Sequence, residues 1–75
     1  MATTQRALSE ARPLAQSALA DSHIFDLRDL VVEEGEDALV LRGSVSSFYH
    51  KQMAQELVRA VAGREVDVVN AIDVR

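Results

Sequence analysis

Two stretches of the chain repeat apolar residues at helical spacing, and the first runs from Ala7 to Ala20. Its apolar positions are Leu8, Ala11, Ala15, Ala18 and Leu19. The stretch is rich in strong helix formers, which supports a helix. Because Pro13 interrupts it, either one helix is kinked or the helix begins near Arg12, and we favour the kinked helix.

The second helix follows Ser46 and Ser47, which are typical N-terminal caps. Its apolar positions lie on one face: Met53, Ala54, Leu57, Val58 and Val61. Gly63 comes shortly after them, and glycine is the residue expected at a left-handed C-terminal cap. The pattern therefore predicts a helix that stops at Gly63.

Apolar residues predict three strands in the rest of the chain. A Leu- and Val-rich stretch from Leu27 to Glu33 is the first. The inner face of the second carries Leu39, Leu41, Gly43 and Val45, and that of the third carries Val66, Val68, Asn70, Ile72 and Val74. The charged segment Glu34 to Asp37 contains Gly35, which can take a positive φ, and it predicts a hairpin loop of four or five residues.

The element order is therefore αββαβ. Each helix has one apolar face to bury, so we expect an α+β fold with two helices packed on one face of a three-stranded mixed sheet. With 75 residues the chain is one domain, 1–75, whose core spans about residues 7–75. A domain this small cannot wall a deep substrate cavity, so we expect neither an enzyme nor a small-molecule substrate.

Negative charge is concentrated in one segment of the chain. Six acidic residues against Arg28 alone give residues 26–37 a net charge of −5, whereas the whole chain carries −4. We assign these acids mostly to the hairpin tip: Asp26, Asp29, Glu33, Glu34, Glu36 and Asp37. They lack the spacing of a calcium loop, and the chain has no basic stripe, so we expect neither Ca²⁺ nor nucleic acid as a partner.

Other candidate chemistry is sparse. His50 falls at the centre of the apolar arc of the second helix and His23 in the loop after the first, without the spacing of metal ligands. Ser46 and Ser47 lack the sequence setting of a nucleophile. We therefore expect no catalytic residue, no metal and no cofactor.

Two residues on inner strand faces need a structural reason. Gly43 contributes no side chain there, which predicts a helix crossing closely above it or a bulge. Asn70 shares its face with apolar neighbours, so its amide must be satisfied, most simply by turn or strand-end backbone. We assign both residues, together with Gly63, to the fold rather than to function.

Three groups of residues resemble the BON domain, a module named after bacterial osmotically inducible periplasmic proteins and nodulation proteins. The first spans the hairpin: Leu30-x-Val32, Gly35 and Leu39-x-Leu41-x-Gly43-x-Val45. The second opens the second helix: Ser47, Phe48, Lys51 and Ala54. The third ends the chain: Gly63 and Val68-x-Asn70-x-Ile72-x-Val74. The likeness covers nearly the whole chain, although the hairpin turn is longer and residues 64–67 depart from the family pattern.

The resemblance implies a non-enzymatic binding module of the bacterial cell envelope, proposed to contact phospholipid surfaces in osmotic and envelope stress. It carries over no catalytic or ligand-binding residue. A complete chain that lacks a secretory signal is expected in the cytoplasm, whereas a domain excised from a longer protein is expected in the periplasm or cell envelope.

Two surface features suggest partners. Phe48, Lys51 and Arg59 share the polar side of the second helix, which suits an anionic phospholipid surface. Four small apolar residues point outward from the strands: Val31, Val40, Val69 and Ala71. Such an open sheet face suits pairing with another copy of the chain or with another domain, and self-association is the alternative to lipid contact. A helix-capping ring and scattered surface valines would explain the same residues without a partner.

Overall fold

The elements occur in the expected order, with one short helical turn added. The computed structural model describes residues 2–75, with side chains from Gln5 onward. Its elements are α1 (Ala2–Ala20), a 3₁₀ turn (Phe25–Leu27), β1 (Val31–Glu34), β2 (Ala38–Val45), α2 (Phe48–Ala62) and β3 (Asp67–Val74). The expected α+β arrangement of two helices and a three-stranded mixed sheet is confirmed. Helix α1 begins earlier than expected and continues through Pro13 as one helix.

Strand β2 lies at the centre of the sheet. It runs antiparallel to β1, with Leu41 opposite Val32, and parallel to β3, with Gly43 opposite Ile72. The inner face of the sheet and the two helices enclose the core: Leu8, Ala11, Ala15, Leu19, Leu27, Leu30, Val32, Leu39, Leu41, Val45, Ala54, Val58, Val66 and Ile72. Within residues 5–75 no polar side chain is fully buried. The core is therefore purely apolar, and small residues let α1 and α2 approach each other and the sheet.

The prediction for the first strand and its loop was partly wrong. Leu27 belongs to the 3₁₀ turn, and β1 begins only at Val31. The apolar run is buried there without strand pairing, because Leu27 and Leu30 each enter the core from an irregular connection. The hairpin loop holds only residues 35–37. Gly35 does not take a positive φ; its amide instead donates to the Ala38 carbonyl at 2.7 Å, and a Cβ would lie only 3.0 Å from that oxygen.

Helix α1 covers the outer edge of β1 with polar side chains. Gln16 Nε2 donates to the Leu30 carbonyl at 2.8 Å, and Gln16 Oε1 accepts from the Val32 amide at 2.9 Å. Ser9 and Arg12, on the same side of the helix, contact the Glu34 carboxylate. The Leu30 carbonyl and the Val32 amide at this edge are thereby satisfied without another strand.

Asn70 has a structural role, but its partners differ from those expected. Its side-chain amide donates to the Lys51 carbonyl at 2.9 Å and to Gln55 Oε1 at 3.1 Å. Its Oδ1 accepts from the Ile72 amide at 3.2 Å. The partners are thus mainly on α2, so Asn70 fastens that helix to β3.

The group packed against Gly43 is the Leu30 side chain and not the crossing helix that we expected. Gly43 has φ +130°, and a Cβ built on it would lie 2.7 Å from Leu30 Cδ2. Leu30 is buried in the core, so its side chain has little room to move aside. Gly63 does end α2 with a positive φ of 90°, but its ψ of 170° is not that of the left-handed helical cap we expected.

We predict that Gly43→Val lowers the free energy of unfolding by about 2 kcal/mol or more, because it combines backbone strain with overpacking against Leu30. Gly63→Val is the matched control, since Gly63 also has a positive φ but no atom within 4 Å of a built Cβ. Thermal or denaturant melts measure both variants. An unchanged melt for Gly43→Val, or equal losses for the two variants, would contradict the close contact with Leu30.

Candidate functional site

A carboxylate in the 3₁₀ turn joins four segments of the chain. Asp26 Oδ2 accepts hydrogen bonds from the Ser46 amide at 2.8 Å and from the Ser46 hydroxyl at 2.6 Å. The same oxygen lies 2.9 Å from His50 Nδ1 in the first turn of α2. The Arg75 guanidinium, just beyond β3, is 3.8 Å from Asp26 Oδ1. We call these four residues, Asp26, Ser46, His50 and Arg75, the Asp26 hub.

The hub favours the ionised form of Asp26. Hydrogen bonds from the Ser46 hydroxyl and amide, and then from His50, hold the pKa of Asp26 far below the usual aspartate value. Desolvation opposes this shift but is outweighed. Because an ionised carboxylate can only accept hydrogen bonds, His50 Nδ1 carries the proton that lies between the two side chains.

Serine, histidine and aspartate meet here in an order unlike that of a nucleophile triad. In such a triad the histidine stands between the serine and the aspartate and removes the serine proton. Here the Ser46 hydroxyl donates directly to Asp26, and His50 bonds to the same carboxylate oxygen. The geometry leaves Ser46 without an activating base, and it therefore supports a structural role for the hub.

All three aromatic side chains of the chain are exposed, and each belongs to a residue within two sequence positions of a hub residue. Phe25, which precedes Asp26, is 77% exposed; Phe48 and Tyr49, in the first turn of α2, are 64% and 66% exposed. The Tyr49 and His50 ring centroids are 5.9 Å apart. We call the three rings, Phe25, Phe48 and Tyr49, the aromatic end.

Basic side chains accompany the aromatic end. The Arg28 guanidinium lies 5.4 Å from the centroid of the Phe25 ring, and Arg28 Nε donates to the Ser22 carbonyl. Lys51 is half-buried one turn after Phe48, and exposed Arg75 joins the hub. Aromatic rings flanked by cations are typical of surfaces that bind at a membrane interface.

The structure separates the three residues predicted for lipid contact. Phe48 and Lys51 lie in the first turn of α2, beside the hub. Arg59 is exposed in the last turn of α2, roughly 16 Å farther along the axis at 1.5 Å per residue. Arg59 shares the helix side of Phe48 but is remote from the aromatic end.

Sequence reasoning missed Phe25, Tyr49, Arg28 and Arg75 as members of this surface. Tyr49 was recognisable, because it falls off the apolar arc of α2. Phe25 was not, since it stands in an irregular segment where no period assigns a face. Its proximity to α2 depends on Asp26, which we had counted among the acids of the hairpin.

The other acids of residues 26–37 are also distributed differently from our expectation. Glu33 forms an ion pair with Arg42 at 2.6 Å on the outward face of the sheet. Glu34 is engaged by helix α1. The hairpin tip itself therefore carries only Glu36 and Asp37, both exposed.

The outward face of the sheet carries the four residues assigned to self-association. Val31, Val69 and Ala71 are exposed, and Val40 is half-buried between neighbouring strands. No element among residues 2–75 covers this face. The Glu33–Arg42 ion pair crosses it, so the apolar area is interrupted by charge.

A shallow apolar groove of about 440 Å³ lies between the 3₁₀ turn and α2. Its walls include Ile24, Leu27, Met53 and Leu57, and its rim includes His23. His23 is thus a loop residue well removed in sequence from His50 and outside the hub. The groove adds apolar surface on the side of α2 that adjoins the α1–β1 connection.

The chain matches no protein-family model, no curated protein and no solved structure. In the described residues, no helix combines the length and apolar character needed to span a membrane. The same residues contain no group of three or more histidine, cysteine, aspartate or glutamate side chains suited to a metal ion. The candidate site is the aromatic end with its neighbouring cations, whose segments the Asp26 hub joins.

We predict that Asp26→Asn lowers the melting temperature at neutral pH. Because the pKa of Asp26 is lower in the folded chain than in the unfolded one, its stabilisation is full above the ordinary carboxyl pKa and disappears as pH falls below it. The melting-temperature difference from wild type should therefore be constant above about pH 5 and shrink below about pH 4.

Melting curves between neutral and acidic pH measure this difference, with Asp29→Asn as the control. Asp29 is an exposed acid of the same segment. A difference that persists unchanged in acid, or an equal effect of both variants, would show that the Asp26 charge does not hold the hub.

Proposed function

We propose that this chain is a non-catalytic, BON-like binding module that contacts anionic phospholipid surfaces through its aromatic end. The observation that carries the proposal is the exposure of every aromatic ring of the chain beside one hub of hydrogen bonds. The sequence resemblance to an envelope-associated family points in the same direction. Envelope and osmotic stress are the setting that this resemblance suggests.

Exposed rings are costly unless a partner covers them. Burying a phenylalanine side chain is worth roughly 1.5–3 kcal/mol, and this small core would gain from each ring. The core is instead filled by leucine, valine, isoleucine and alanine, while the hub fixes the segments that carry Phe25, Phe48 and Tyr49 at the surface. A membrane interface provides cover for aromatic rings without requiring a shaped pocket.

The distance between the hairpin acids and the hub lets the aromatic end approach an anionic lipid surface. The hairpin acids Glu36 and Asp37 adjoin the N-terminal end of β2, whereas Ser46 of the hub directly follows its C-terminal end. Eight residues of strand place roughly 26 Å between the two ends, well beyond a screening length of about 10 Å in 0.1 M salt. The cations Arg28, Lys51 and Arg75 therefore act locally despite the net charge of −4.

The expected affinity of a single module is weak. Each basic side chain near an anionic surface contributes about 1 kcal/mol, and each partly inserted ring adds a similar amount. Asp26, Asp29 and Asp73 oppose part of this attraction. A net gain of roughly 3–5 kcal/mol corresponds to a Kd between about 6 mM and about 0.2 mM.

We predict that the chain sediments with vesicles containing phosphatidylglycerol, that salt weakens this binding, and that pure phosphatidylcholine vesicles bind it less. Phe25→Ser combined with Phe48→Ser should reduce the bound fraction at least about fivefold, because two of the inserted rings are lost. Leu14→Ser is the matched control, since Leu14 is 57% exposed on α1 and away from the hub.

Two charge reversals identify the contacting end. Arg28→Glu should weaken binding, whereas Arg59→Glu, in the last turn of α2, should have a smaller effect. Equal losses would instead indicate contact along the whole polar side of α2. No binding of the wild type to anionic vesicles at low salt would refute the lipid proposal.

Self-association through the open sheet face is the second candidate function. It is favoured by the exposed Val31 and Val69, which the described residues leave uncovered. Outward apolar residues on neighbouring strands form a continuous face only if the Glu33–Arg42 ion pair is accommodated. This charge makes face-to-face pairing the weaker of the two candidates.

If the open face associates, Val69→Lys should reduce the mass observed by sedimentation at high concentration, because a lysine there cannot be buried unpaired. Val61→Lys is the control, because Val61 is exposed near the end of α2 and does not belong to the sheet face. A monomeric wild type at the highest attainable concentration, or equal behaviour of both variants, would exclude pairing through this face.

A further inference from the structure

The two edge strands of the sheet differ in whether their outer backbone groups have partners within the chain. Helix α1 covers the edge of β1, where Gln16 satisfies the Leu30 carbonyl and the Val32 amide. No strand formed by residues 2–75 pairs with the outer edge of β3. An uncovered strand edge presents a row of backbone donors and acceptors that another strand can use.

The hydrogen bonds of β3 identify which backbone groups face outward. The Arg75 amide donates to the Val45 carbonyl of β2 at 2.8 Å, so the odd-numbered residues of β3 bond to β2. The even-numbered residues therefore direct their amides and carbonyls to the free edge. The bond of the Ile72 amide supports this assignment, because that amide donates to Asn70 Oδ1 and not to a carbonyl of β2.

This alternation restricts how a second β3 can pair with the first. Two copies of β3 that pair antiparallel about a two-fold axis must set even-numbered residues opposite even-numbered residues, because these carry the outward backbone groups. The axis then passes beside one residue, which lies opposite the same residue of the other copy. An axis beside Asn70 sets Asp67 opposite Asp73 twice, which is repulsive. An axis beside Ile72 sets Asp73 opposite Ala71 and Arg75 opposite Val69, so neither charge meets an opposite one.

An axis beside Ala71 has complementary charges. Asp67 then lies opposite Arg75 of the other copy, and this pair occurs twice. Val69 lies opposite Asp73, and Ala71 lies opposite itself. Arg75 can take part, because at 3.8 Å its contact with Asp26 is longer than a hydrogen bond.

We infer that β3 pairs antiparallel with β3 of a second copy, centred on Ala71, so that two three-stranded sheets join into one of six strands. The Ile72 amide exchanges its bond to Asn70 Oδ1 for the partner's backbone, while Asn70 keeps its bonds to α2. This pairing uses the sheet edge, leaves the open face uncovered, and does not depend on lipid contact.

Disulfide trapping tests the pairing directly, because the chain contains no cysteine. Ala71 faces itself at a non-hydrogen-bonded site, where Cα atoms are about 4.5 Å apart and a disulfide is allowed. The control is Val69→Cys, exposed on the same strand face but roughly 14 Å from its own copy in this register. Mild oxidation should form the Ala71→Cys dimer at least about tenfold faster than the Val69→Cys dimer.

Charge exchange tests the register in the Ala71→Cys background. Asp67→Arg alone and Arg75→Asp alone should each slow dimer formation, and the two together should restore it. Val69→Lys should not slow it, since the lysine would face Asp73, whereas it should weaken pairing through the open face. Equal trapping rates for the two cysteines would overturn the edge pairing, and failure of the double exchange to restore the rate would overturn the register.

Discussion

The Asp26 carboxylate is the interaction on which the candidate site depends. Its oxygens join the connection before β1, the loop after β2, the first turn of α2 and the residue after β3. The apolar core fixes how helices and sheet stack, but it does not determine how these four chain segments meet at one end. The donors of Ser46 and His50 keep the carboxylate ionised, and their bonds to it join the segments that carry the three exposed rings.

In several places of the fold, polar side chains connect elements whose relative positions the small apolar core does not fix alone. Gln16 closes the edge of β1, Asn70 fastens α2 to β3, and Asp26 joins the loops. These bonds are partly buried or exposed, and each connects elements distant in sequence. A domain of 75 residues buries only a limited apolar area, so these contacts help to define one arrangement of its layers.

Local pattern predicted most of the fold and little of the site. Helical spacing identified both helices, alternation identified β2 and β3, and Gly63 marked the end of α2. The segment from Leu27 to Leu30 was mistaken for strand because buried apolar residues look alike in a strand and in an irregular connection. Phe48 and Lys51 were proposed from one helix alone, whereas joining the Phe25 segment to the start of α2 requires contacts of Asp26 with Ser46 and His50 that no periodicity encodes.

The most direct test of the account is amide chemical-shift mapping of the isotopically labelled chain with anionic lipid nanodiscs. The account predicts that shifts and line broadening are concentrated at residues 25–28, 46–51 and 75, and that the hairpin residues 35–37 and the end of α2 near Arg59 change little. Changes confined to the hairpin or to the end of α2, or none at the aromatic end, would contradict the claim that the Asp26 hub presents a lipid-binding surface.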